Sequence, residues 1–168
     1  IDKEAPEATI SYDITEDTTK NVVATIECDE EIIIVNNNGE EAYTFTENGE
    51  FEFIYTDKLG NEGRITAKVD WIDREAPIGK IKYDITEITG NDVVATLEAN
   101  EDIIITNNDG KGTYTFTENG EFEFIFVDKA GNEGRVTAKV DWIDKELPKI
   151  TVIYDIEDIT NKDVTAKI

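Results

Sequence analysis

Carboxylates are the residues of this chain with the widest chemical reach. Asp70, Asp73 and Glu75 stand close together around Trp71, and one acidic loop pattern occurs twice, with Asp57 and Asn61 and again with Asp128 and Asn132. Side-chain oxygens of this kind hold hard cations, calcium above all, whereas zinc sites draw on histidine and cysteine. The chain has no histidine and a single cysteine, Cys28. The counterpart of Cys28 later in the chain is Ala99, so the thiol reads as a small half-buried filler. Glycoside hydrolysis is the other chemistry open to paired carboxylates, and it needs one acid of raised pKa facing another across a pocket. Here the acids fall on outward strand faces or in short loops and nearly the same set occurs twice, while the lack of histidine rules out a nucleophile–histidine pair. The chain therefore reads as a non-enzyme.

Charge narrows the partners further. Thirty-nine acidic residues against 16 basic ones leave a net charge of −23, which repels nucleic acid and anionic lipid alike. Membrane insertion is not expected either, because no run of apolar residues is long enough to span a bilayer.

The elements that position these acids repeat with a period of 71 residues, from Ile1-Asp2-Lys3-Glu4-Ala5-Pro6 to Ile72-Asp73-Arg74-Glu75-Ala76-Pro77. Tyr43 to Ile54 recurs unchanged as Tyr114 to Ile125. The expected division is residues 1–71, residues 72–142, and a partial third copy at 143–168. The chain starts and stops inside the pattern, as an excerpt of a longer protein would.

Within one copy the apolar residues alternate with period two. Val22, Ala24 and Ile26 share a face, as do Phe51, Phe53 and Tyr55, and then Ile65, Ala67, Val69 and Trp71. Thr9 to Tyr12 and Ala42 to Thr46 supply two more strands, and the β-branched run Ile32 to Val35 suits a central one. Asn36-Asn37-Asn38-Gly39, Glu47-Asn48-Gly49 and the segment from Asp57 to Gly63 are rich in residues that tolerate positive φ. Six or seven short strands per copy point to an all-β sandwich. Trp71 and Trp142 are expected to close the bottom of the sandwich or to pack against the next unit, and Tyr12, Tyr83 and Tyr154 to lie in the core.

These residues carry a resemblance. The order of a strand, Glu-Asn-Gly, Phe-Glu-Phe-Ile-Tyr-Thr-Asp, a Gly-Asn-x-Gly turn and a final strand, joined by Asp-Arg-Glu-Ala-Pro to the next copy, resembles the tandem bacterial immunoglobulin-like repeats of large cell-surface proteins and adhesins. The resemblance implies head-to-tail immunoglobulin-like β-sandwiches of six to seven strands, an extracellular location on a bacterial surface, and a role as stalk or spacer whose partners are neighbouring repeats of the same chain, with a cell-surface or self-assembly partner beyond them. It also implies that the exit of one repeat meets the loops at which the chain enters the next. On that arrangement Asp70, Asp73 and Glu75 of the linker approach Glu101 and Asp102 of one loop and Asp128 and Asn132 of another, with Asp13, Glu16 and Asp17 nearby. Asp2, Glu4, Asp57 and Asn61 are the equivalents in the first repeat. A calcium ion at such a junction would stiffen a rod; Asp73 and Asp128 acting only as turn caps is the other reading of the same residues.

The third copy supplies only a linker and two strands, and two strands cannot bury Val164, Ala166 and Ile168 by themselves. That leaves an alternative function, a self-assembling extracellular fibre whose subunits exchange strands.

Overall fold

The computed structural model describes residues 4–155 and 157–167, and its regular elements are antiparallel strands apart from one short 3-10 turn in each full copy, Asn37–Gly39 and Asn108–Gly110. In the first copy these are β1 (Ala8–Tyr12), β2 (Val22–Cys28), β3 (Ile33–Ile34), β4 (Ala42–Phe45), β5 (Gly49–Thr56) and β6 (Glu62–Val69). The second copy follows as β7 (Gly79–Tyr83), β8 (Val93–Ala99), β9 (Ile104–Ile105), β10 (Thr113–Phe116), β11 (Gly120–Val127) and β12 (Glu133–Val140). Two short strands, β13 (Ile153–Tyr154) and β14 (Ala166–Lys167), form the remnant of the third.

Each full unit consists of two three-stranded sheets, ordered β1-β2-β4 and β3-β5-β6 in the first and repeated by β7-β8-β10 and β9-β11-β12 in the second. The alternation explains why the sheets face each other. Val22, Ala24 and Ile26 of one sheet and Phe53, Tyr55, Ala67 and Val69 of the other bury their side chains in one shared core, and Val93, Ala95, Phe124, Phe126, Ala138 and Val140 do the same one period later. Trp71 closes the end of the first core as expected: it meets Tyr12 edge-on at 5.1 Å, and its indole N–H donates to the Ile14 carbonyl at 3.0 Å. Trp142 repeats this against Tyr83 and Ile85. The Cys28 thiol is half-buried and donates to the Glu7 carbonyl.

Three expectations change. Ile32 to Val35 does not form a central strand; β3 is two residues long and lies at a sheet edge, with Ile33 and Val35 exposed. The cause is Asn36, whose amide donates to the Glu52 carbonyl at 2.6 Å and accepts the Ile54 N–H at 3.0 Å, so a side chain replaces the next step of the ladder on β5. The last strand ends at Val69 rather than Trp71, because the chain then crosses to the other sheet and Ile72 makes a parallel bridge with Thr18. Tyr154 is exposed, since β13 pairs only with β14 and no second sheet covers it. Positive φ occurs at Asn37, Asn38, Gly39 and Gly60 as the turn chemistry requires, but not in Glu47-Asn48-Gly49.

Candidate metal centre

The linker is placed from both sides. Ile72 is buried in the first core, and its N–H and carbonyl are both held by the Asn48 side chain, at 2.8 and 2.9 Å. Asp73 N–H donates to the Thr18 carbonyl at 2.9 Å. The Arg74 guanidinium then donates to the Thr19 carbonyl, the Thr46 carbonyl and Asn21 Oδ1. Beyond it, Pro77 is buried in the second unit, and Ile78 exchanges hydrogen bonds with Asn100 through its N–H and its carbonyl.

This placement brings a carboxylate oxygen from each of Asp73, Glu101 and Asp128 within 4.8 Å of the others, the one such group among the described residues. Asp73 is half-buried, Glu101 exposed and Asp128 buried. Asn132 joins them, its amide nitrogen donating to Asp128 Oδ2 at 2.8 Å and to the Asp73 carbonyl at 3.1 Å. Four of the seven residues expected at this junction therefore converge.

The other three line the surrounding groove without joining the group. Asp70 and Glu75 are exposed, and Asp102 turns to Lys129, with Nζ to Oδ2 at 3.0 Å. Glu16 and Asp17 flank a neighbouring depression with Trp71 and Lys129. Asp13 instead caps its own hairpin by accepting the Val23 N–H at 2.7 Å. In the first repeat, Asp57 accepts the N–H groups of Leu59 and Asn61 and the Asn61 side-chain amide. Glu4 is exposed, and Asp2 lies outside the described residues.

Turn chemistry and cation affinity draw on the same oxygens. Asp128 accepts the Gly131 and Asn132 N–H groups at 2.7 and 2.8 Å as well as the Asn132 amide. Asp73 Oδ1 accepts the Glu75 N–H at 2.9 Å. Burial works to raise the Asp128 pKa, but the hydrogen bonds from Asn132, Gly131 and Ala130 outweigh it and hold the carboxyl below its usual value. The same balance lowers Asp57. A carboxylate offers roughly four lone-pair sites, so the hydrogen bonds from Ala130, Gly131 and Asn132 take up about all of those on Asp128, while Asp73 keeps about three. The donor set fits a hard cation completed by carbonyl or water oxygens, and it lacks the nitrogen and sulfur that zinc prefers.

Asn48, Arg74 and Lys129 matter here and were not singled out from sequence. Exact recurrence of Asn48 as Asn119 was the available signal, since Asn119 holds Ile143 through the same two bonds. Neither a family model nor a curated protein sequence matches this chain.

Proposed function

We propose that this chain is a non-catalytic stalk, made of immunoglobulin-like sandwiches set head to tail, that works on the outside of a bacterial cell and is stiffened by calcium at its seams. The observation that carries the reading is the seam itself: the linker is hydrogen-bonded into the unit before it, enters the unit after it through a buried proline, and gathers three carboxylates between them. Two copies of one unit give reach, and an active site has no need of the duplication. With β6 about 26 Å long at roughly 3.3 Å per residue, each repeat adds some 35 to 40 Å once loops are included. Calcium would cancel the mutual repulsion of Asp73, Glu101 and Asp128, whose positions are set by the linker bonds and the Asp128 turn.

At affinities near ~10⁻⁴ to 10⁻³ M, millimolar calcium stabilises such a seam by about 0.4 to 1.4 kcal/mol, enough to restrict a hinge and too little to fold a unit. Small-angle scattering with calcium and with chelator tests this. A longer maximum dimension in calcium is expected, and identical dimensions in both would remove calcium from the reading.

A further inference from the structure

The seam has a pivot and a latch. Up to Arg74 the linker is fixed to the first unit, since Ile72 is buried there and the guanidinium reaches three acceptors on that unit. From Pro77 onward it is fixed to the second. A Cβ on Gly134 would lie 2.5 Å from the Pro77 carbonyl oxygen, so the backbone there is seated directly on β12. Only Glu75 and Ala76 lie between these anchors, and both are exposed. Rotation of one unit against the other must therefore pass through these two residues.

One side chain of the second unit bonds back across those two residues, and a second stands beside it. Asn132 splits its amide protons, one bonding Asp128 in its own loop and the other bonding the Asp73 carbonyl on the first unit's side. Lys129 pairs with Asp102 at 3.0 Å and shares a depression with Glu16, Asp17 and Trp71 of the first unit. Asp17 also contributes to the field that favours the charged form of Lys129, behind the larger effects of Asp102. Against them stands the repulsion of the three seam carboxylates.

We infer that Glu75–Ala76 is the hinge between the units, and that Asn132 is a built-in latch which holds it closed against carboxylate repulsion, with the charge of Lys129 beside it. Lys129, paired with Asp102 of its own unit, adds a positive charge beside Glu16 and Asp17 of the first. The latch is a conformational device that needs no bound ion, and it rests on the head-to-tail reading of the two units.

The test measures distances between spin labels at two equivalent exposed positions, Thr44→Cys and Thr115→Cys, in a Cys28→Ala background; alanine already occupies the matching position 99. Loss of the Asn132 bond in Asn132→Ala should raise the ratio of open to closed seams by about fivefold, the effect of one hydrogen bond. Lys129→Met should broaden the distance distribution to a smaller degree, and the double variant most of all. Asn61→Ala removes the same loop bond in the first unit and should leave the distribution unchanged. Equal distributions in the parent and the double variant overturn the latch, as does equal broadening by Asn61→Ala and Asn132→Ala. Circular dichroism of each variant confirms that the sheets are intact. Repeating the series in chelator separates this inference from the calcium reading: broadening that persists without calcium supports the latch even where calcium itself has no effect.

Discussion

Tyr55 of the first unit and Phe126 of the second occupy the same place in the two cores, but only Tyr55 carries a hydroxyl. It donates to the Pro6 carbonyl at 3.0 Å and so ties the incoming chain to the sheet. Phe126 has no such bond to give. In the second unit the Pro77 carbonyl instead presses against Gly134, where an added Cβ would meet that oxygen at 2.5 Å and the Phe126 ring at 2.4 Å; at Gly63 the three nearest atoms all belong to the Tyr55 side chain, its hydroxyl included. Both units hydrogen-bond the segment before their first strand, through Tyr55 and Cys28 in the first and Asn100 in the second, and the Pro77 carbonyl of the second adds close contact with a glycine. The linker cations differ in the same spirit: Arg74 reaches three acceptors and Lys145 reaches two, Asp92 and Thr117. The comparison teaches that the fold requires the segment before the first strand and the linker after the last to be fastened, while the fastening itself can change.

The largest effect tests whether the two cores are equivalent and separate. Phe53→Ala and Phe124→Ala each remove a fully buried ring and should cost about 3 to 5 kcal/mol. Thermal melting should then show one unit lost early while the other keeps the parent transition, and a single shared transition would join the two units into one cooperative body. Gly134→Ala against Gly63→Ala probes the difference in fastening. Both overpack, at roughly 1 to 3 kcal/mol, and Gly134→Ala should cost the more because a backbone carbonyl cannot swing aside. Urea denaturation of the pair decides it, and equal losses would break the distinction. Tyr55→Phe makes the first unit resemble the second and should cost about 1 kcal/mol, whereas a neutral result would mean that the first unit can adopt the contact used by the second.

The smallest effect concerns acid. Hydrogen bonds hold the carboxyls of Asp57 and Asp128 below their usual range despite burial, so in that interval the folded chain binds fewer protons than the unfolded one. The stability they contribute is present above the unfolded pKa and is lost as pH falls through the folded value. Protonation of other acids on a chain of net charge −23 relieves repulsion and works in the opposite direction, so the comparison has to be differential. Asp57→Asn should flatten the acid limb of the melting temperature relative to the parent, with Asp128→Asn doing the same for the second unit, and parallel limbs would contradict the assignment.

Much of this could be read along the chain. The period-two alternation of Phe51, Phe53 and Tyr55 gave the buried face of β5, and the period of 71 residues gave the second unit. The expected seam acids were half legible: Asp73, Glu101, Asp128 and Asn132 meet, while Asp102 pairs with Lys129 and Asp13 caps a turn. Sequence pattern could not separate these because an exposed aspartate has several partners within reach, and which one it takes depends on backbone positions set by distant strands. Ile32 to Val35 misled for a related reason, since a β-branched run marks a strand but says nothing of the Asn36 side chain that ends it.

By itself the sequence determined the strand faces, the turns at Asn37 to Gly39, the hard-oxygen character of the acidic loops and the exclusion of histidine chemistry, because each follows from residue type and local spacing. Tertiary structure alone decided that Asn48 grips Ile72, that Arg74 fastens the linker to the unit before it, and that Asn132 bonds the Asp73 carbonyl. Those contacts join residues separated by tens of positions, and only the packing of two sheets around Phe53 and Phe124 brings them within bonding distance.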